Sequence, residues 1–368
     1  MNFQVTYLFF TWLLLKSVEQ FYFSNGNRDT HCLPNSPMST KPKIHILGTG
    51  GTIANITGNY ISSADFVPID ALLDLAPEEV TSHGELSLTE VTHLNSGALT
   101  TEVWFDLHDE IMQKSSSNNP PDGFVITHGS NTSEETAYFL NLVLKTEIPI
   151  VVTAAQRNIG KLGSEGFRNL YDSIRVASSP DSVGKGVLFV ANEEIHHARD
   201  VTKVAASRPD AWRSPNFGRI GDVFDEVRFY RTATRASTVK TEFDISNCTT
   251  SDFPLLDVQI VYSSFSDDGT MVRAAVDSGA KGIICAAFPT CSPAWPDNHP
   301  TQGDALIEAT KKDIPVVLCN RGTSGFKPVK EPFLNGGTLR PQKARILLAL
   351  ALMKTNDYEE LQRIFKSY

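Results

Sequence analysis

Gly48-Thr49-Gly50-Gly51-Thr52-Ile53-Ala54 directly follows a strand, and its glycines let the chain turn sharply and bring backbone N–H groups and two hydroxyls to the sheet's carboxyl edge, where a ligand could be held. The segment reads either as a ligand-binding strand edge or as a plain strand-to-helix turn. A dinucleotide fingerprint fails because Ile53 stands where the third Gly or Ala belongs, and no Gly-Lys is followed by Ser or Thr as a phosphate loop requires. A second segment, Thr127-His128-Gly129-Ser130-Asn131-Thr132, leads into Thr132-x-x-Glu135, a capping-box pattern that predicts a helix just after Ser130 and Asn131. Its N-terminal N–H groups either hold a carboxylate or developing oxyanion, or are simply capped. In a third, Asp200-Val201-Thr202-Lys203, the lysine is either solvated or, if buried, a base with a depressed pKa. His196-His197 do not form a metal pair, since adjacent residues on a regular element diverge and neither an HExxH nor a Cys partner is present. No metal and no cofactor is expected, and the G-x-S-x-G elbow of serine hydrolases is absent.

The elements that must position these groups follow from periodicity. Runs at Lys43–Leu47, Leu86–Leu94, Gly123–Thr127, Ile148–Ala154 and Gly186–Ala191 read as strands. Val103, Trp104, Leu107, Ile111 and Met112 recur at helical spacing, and Ala137, Tyr138, Leu142 and Leu144 do so more loosely. The pattern lapses between about Tyr230 and Pro254, which reads as a connector. It resumes with strands Asp257–Tyr262, Lys281–Ala287 and Ile314–Cys319, helices near Met271–Asp277 and Asp304–Lys311, and closing helices opening at Pro341 and Asp357. Strands alternating with helices predict an α/β fold built on mostly parallel sheets, the larger in the N-terminal domain and the smaller in the C-terminal one.

Composition narrows the partners. The 368 residues carry 33 Lys plus Arg against 42 Asp plus Glu, a formal charge of −9, which lacks the basic footprint of a nucleic-acid binder. A small-molecule substrate is the expectation. Residues 5–15 are apolar but too short to span a bilayer, so no stable membrane span is expected. Their length suits a signal peptide over 1–24 followed by a tail over 25–40, although no Lys or Arg precedes the apolar run. The domain boundaries expected are then 41–230, a linker over 231–254, and 255–368. Five scattered cysteines do not make a disulfide framework, and sequons at Asn55, Asn131 and Asn247 suit glycosylation of an exported chain.

Taken together, Thr49-Gly50-Gly51-Thr52-Ile53-Ala54, Gly123 to Gly129, Glu134 to Phe139, Arg199-Asp200-Val201-Thr202-Lys203 and the closing Gly337 to Arg345 resemble the bacterial-type L-asparaginases, in their secreted type II branch. The resemblance runs from about Ile44 to the C-terminus. It implies the two-domain asparaginase-like fold, a homotetramer, a secreted, cell-wall or periplasmic location, and hydrolysis of the side-chain amide of L-asparagine through a threonine nucleophile. Thr52 matches that nucleophile. Tyr60 is the nearest match to the family's mobile-loop tyrosine, in a loop that is shorter here. Ser130 stands where the family usually has Thr, and Lys203 matches the lysine that accompanies it. Ser96 matches the residue that grips the substrate's α-carboxylate, and Ala155 the one whose backbone lies near the amide.

The chain also departs from the pattern. Asn131 occupies the place of an aspartate that, by the resemblance, pairs with the substrate's α-ammonium and with the lysine. A charge-assisted bond contributes about 1.5–3 kcal/mol against about 0.5–1.5 for a neutral one, so affinity or rate is expected to fall roughly tenfold to a hundredfold. Losing its anionic partner also makes Lys203 easier to deprotonate. The segment that in the family completes a neighbouring subunit's site corresponds to Ala287-Phe288-Pro289-Thr290-Cys291-Ser292, without an Asn, and the loop carrying a second trans-acting acid is shortened around Gly322–Glu331. Three functions remain open at this point: an L-asparaginase, an asparaginase-fold binding or surface protein with impaired turnover, and an amidase for another amide.

Overall fold

The computed structural model describes residues 41–59, 63–295, 297 and 300–368. The apolar leader stretch, Cys32 and Tyr60 lie outside the described residues. The aliphatic runs that predict parallel strands form β1 (Lys43–Gly50), β2 (Glu85–Leu94), β3 (Gly123–Thr127), β4 (Ile150–Thr153) and β5 (Val187–Ala191). Strands buried on both faces read as continuous apolar runs, and β3, β4 and β5 are buried at every residue. The sheet continues through short strands that the sequence pattern does not announce. These are β6 (Glu194–His197) and, beyond a two-stranded ribbon of β7 (Thr202–Lys203) and β8 (Trp212–Arg213), β9 (Gly221–Val223) and β10 (Val227–Phe229). The order is β10-β9-β6-β5-β4-β3-β1-β2, parallel from β2 to β5 and antiparallel from β5 to β10. A second, all-parallel sheet runs β11 (Val258–Tyr262), β12 (Gly282–Ala287), β13 (Val316–Asn320) and β14 (Leu334–Asn335).

Helices cover both sheets. Helix Thr101–Ser115 buries Val103, Trp104, Leu107 and Ile111 at the expected spacing. Helix Ser133–Val143 is buried around almost its whole circumference, which is why its apolar period looks loose. It packs on the large sheet and against helix Pro341–Leu352, which itself lies on the strands of the small sheet. Residues 231–254, expected as a patternless connector, instead drive Phe243, Ile245 and Phe253 into the interior. Phe253 sits 5.5 Å from Phe139 and 6.5 Å from Trp104, centroid to centroid. One apolar cluster therefore runs from Leu47 and Phe124 through Phe253 to Ile284, Val317 and Leu347.

Helix Pro341–Leu352 opens with Pro at its first position, as expected, and carries an unexpected group inward. Lys343 is fully buried, and its Nζ donates to the carbonyls of Ala198 at 2.7 Å, Arg199 at 3.3 Å and Val201. Burial draws its pKa down to about 8, while three carbonyl acceptors support the ammonium form. Beside it the Arg199 guanidinium reaches Tyr368 O at 2.9 Å and Thr338 Oγ1 at 2.8 Å, so the loop from β6 to β7 is held by the C-terminal end of the chain. Lys343→Met strands those carbonyls without a donor. It is expected to lower the unfolding free energy by about 3 kcal/mol, read from urea denaturation; a change within experimental error would show that the carbonyls find other partners.

Candidate functional site

The neighbouring parallel strands β2, β1, β3 and β4 end on one edge, and the residues just beyond them enclose a cleft of about 290 Å³. This is the edge at which open α/β sheets bind ligands. In the turn after β1, Gly50 and Gly51 adopt φ of +82° and +76°, a left-handed region that glycine enters without steric cost. A Cβ on Gly51 would stand 2.1 Å from the Cα of Gly129, and one on Gly129 would stand 2.6 Å from Ser96 Oγ. The ends of β1, β2 and β3 therefore meet through positions without side chains. Gly51 N donates to Leu94 O at 2.9 Å and Thr49 Oγ1 to Thr127 O at 2.9 Å, which ties the three ends together. Thr52 starts a single 3-10 turn whose other residues, Ile53 and Ala54, are buried, and it lines the cleft.

His128 anchors the second wall from below. It is wholly buried, and because a carbonyl only accepts, its 2.8 Å contact to Gly129 O puts the proton on Nδ1. Nε2 then accepts from Thr136 Oγ1 at 2.9 Å, and that oxygen accepts from Trp104 Nε1 at 2.8 Å. Burial holds the imidazole neutral, with its pKa down to about 4. Helix Ser133–Val143 begins where expected, but the capping box is not made. Thr132 Oγ1 donates instead to Ser96 O at 3.0 Å, satisfying a carbonyl on the neighbouring strand end, and Glu135 is left half-buried without the capping contact. There burial, and next the Glu134 charge, raise its carboxyl to about 7. The Asn131 N–H is also spent, donating to Ser96 Oγ at 3.2 Å.

Lys203, half-buried on β7, closes the third side. Its Nζ donates to Ser130 Oγ at 2.7 Å and to Asn131 Oδ1 at 3.3 Å. Its backbone N–H donates to Glu134 Oε2 at 2.8 Å, while Glu134 Oε1 accepts from Gln342 Nε2 on the C-terminal helix. Desolvation lowers the lysine pKa and Glu134 opposes the shift. Lys203 therefore lies between the two readings open from sequence, with its Nζ engaged and part of its side chain still exposed.

The cleft thus gathers Thr52, Ser96, Ser130, Asn131 and Lys203. Ala155 is fully buried behind it, and the wall at that point is Gln156. Asn95 and Gln156 were not anticipated, yet each follows the carboxyl end of a parallel strand, a position that marks ligand contacts in such sheets. His196 and His197 stand apart on β6, with contacts to Ser214 Oγ at 2.9 Å and from Arg199 N at 3.2 Å. Among the described residues, no group of His, Cys, Asp and Glu is placed to hold a metal ion.

An α/β sheet edge that presents hydroxyls beside a desolvated lysine defines a class suited to acyl chemistry, and the comparisons narrow it. Residues 43–235 match the family described as "Asparaginase, N-terminal", and residues 257–365 match "Glutaminase/Asparaginase C-terminal domain". The chain belongs to the asparaginase family. It is 33% identical over 336 residues to "L-asparaginase 2" of Bacillus subtilis, covering 89% of this chain and 87% of that one. It is also 33% identical over 338 residues to "Probable L-asparaginase periplasmic" of Haemophilus influenzae, covering 89% and 93%. The crystal structure of "Probable Cytoplasmic L-asparaginase from Campylobacter jejuni" superposes with a TM-score of 0.81 at 35% identity, over 89% of this chain and all of that one.

Glu135 supplies a test of the packing around helix Ser133–Val143. Its folded pKa of about 7 lies above the ordinary 4.5, so the unfolded chain binds fewer protons in between, and stability is lost as pH rises from 4.5 through 7. Glu135→Gln removes that loss. The variant should gain about 2–3 kcal/mol over wild type at pH 8 but little at pH 4.5, by urea unfolding at both values; an equal difference at the two pH values would refute the assignment.

Proposed function

We propose that the chain is an amidohydrolase converting L-asparagine to L-aspartate and ammonia, with Thr52 as nucleophile. The observation that carries this reading is the convergence of Thr52, Ser96, Ser130 and Lys203 in one cleft, with Lys203 half-buried and 2.7 Å from the Ser130 hydroxyl. Thr52 Oγ1 adds to the amide carbon, and its proton passes to the Ser130–Lys203 pair and on to the leaving nitrogen. The C–N bond then breaks and ammonia departs. Water adds to the threonyl ester by the same relay, releasing the acid and restoring the hydroxyl. A lysine with a depressed pKa suits a relay that must both take and return a proton near neutrality. Ser96 holds the substrate carboxylate, donating its own O–H while its oxygen accepts from Asn131 N. Ala155 supports the amide pocket through its backbone, and by resemblance Tyr60 corresponds to the family's loop tyrosine.

The same resemblance supports a homotetramer of two-domain subunits divided around 231–254, with the Ala287–Ser292 segment reaching a neighbouring cleft. Relatives are named both periplasmic and cytoplasmic. The apolar residues 5–15 favour an exported, secreted or cell-wall protein here, and no helix among the described residues is long and apolar enough to cross a membrane. Of the sequons, Asn247 is exposed and suits glycosylation, whereas Asn55 is fully buried and accepts from Gly58 N at 2.7 Å. Thr52→Ala is expected to cut ammonia release from asparagine by about a thousandfold or more while urea stability stays within about 1 kcal/mol. Unchanged turnover would remove Thr52 from the mechanism.

A further inference from the structure

The charges around the cleft are lopsided. Lys203 is the one charged side chain among its described lining residues; the others, Asn131 and Gln156 included, are neutral. The nearest carboxylates do not reach it. Glu134 is buried, with one oxygen taken by Lys203 N and the other by Gln342 Nε2. Glu165 lies behind Gln156, its Oε1 accepting from Gln156 N and its Oε2 sealed from solvent. A bound carboxylate meets a cation and hydroxyl donors. Among the described lining residues of this chain, a bound ammonium meets that same cation and only neutral acceptors, of which Asn131 Oδ1 already receives Lys203 Nζ at 3.3 Å. Neutral acceptors recover about half of what a charged one gives an ammonium, and the shortfall falls on any substrate that carries one.

We infer that the cleft recognises a carboxylate and a primary amide without reading an α-ammonium, so that the monoamide of a four-carbon dicarboxylic acid, succinamate, is hydrolysed at least as efficiently as asparagine. The inference rests on the amidase reading of Thr52 and deepens it. The reaction is unchanged: water and succinamate give succinate and ammonia through the same C–N cleavage. Asn131 is then the specificity-determining residue, because it stands where an acid would offer the ammonium its counter-charge, within reach of Lys203.

The test compares kcat/KM for succinamate and L-asparagine by ammonia release on the full chain, alongside calorimetric binding of succinate and L-aspartate. Wild type is expected to show a succinamate-to-asparagine ratio of one or more, and Asn131→Asp to lower that ratio about tenfold or further. A wild-type succinamate-to-asparagine ratio below one overturns the inference, as does an unchanged ratio in the variant. If neither amide is cleaved, the amidase reading fails by itself and the product pair decides. Succinate binding at least as tightly as aspartate supports the inference, while tenfold tighter aspartate, or no binding of either acid, overturns it.

Discussion

The turns that end β1 and β3 touch with no side chain between them, and the cleft depends on that contact. Adjacent strands in a sheet lie about 4.8 Å apart, which leaves no room for substituents where their ends curl toward one another. Glycine at 51 and at 129 permits the approach, and the residues that follow, Thr52 and Ser130, bring hydroxyls from separate strands to one wall. Ser96 completes the junction by accepting from Asn131 N through its hydroxyl and from Thr132 Oγ1 through its carbonyl. The buried chain from Trp104 through Thr136 to His128 holds the β3 turn from beneath with every polar atom of the relay paired.

Lys203 is positioned from elsewhere. The loop before it is bound by Lys343 and Arg199, and its own backbone by Glu134, which in turn accepts from Gln342. Two consecutive residues of the helix Pro341–Leu352 thus act on the cleft through one intermediary each. Helix Ser133–Val143 thus serves both the glycine junction, through Thr136, and the lysine, through Glu134, and the 2.7 Å contact between Lys203 and Ser130 joins the two.

Much of this was legible in the sequence wherever burial is symmetrical. β1, β3, β4, β5 and β12 are aliphatic because both faces are covered, and their limits fell within a few residues of those observed. The short antiparallel strands β6, β9 and β10 have too few residues to show a period. Helix Gly166–Ala177 escaped notice because its inner face is partly polar: Asn169 Nδ2 donates to Ala154 O at 2.9 Å, and Asp172 pairs with Arg168 at 2.8 Å. Thr132 and Glu135 have the spacing of a capping box, yet the Thr132 hydroxyl answers to a strand end distant in sequence. Lysine normally signals solvent, so neither the burial of Lys343 nor the desolvation of Lys203 has a local signature. Thr52, Ser96, Ser130, Asn131 and Lys203 were reached through motif resemblance, and Asn95 and Gln156 follow from strand-end geometry alone.

The aromatic contacts of Phe253 with Trp104 and Phe139 have a thermodynamic consequence. They lie within apolar packing that is continuous from one sheet to the other, while each half also keeps a separate apolar cluster of its own. A polypeptide severed after Pro254 would lose the packing of helix Pro341–Leu352 on helix Ser133–Val143 and expose apolar surface on each fragment. The cleft and the C-terminal layer thus share one apolar seam.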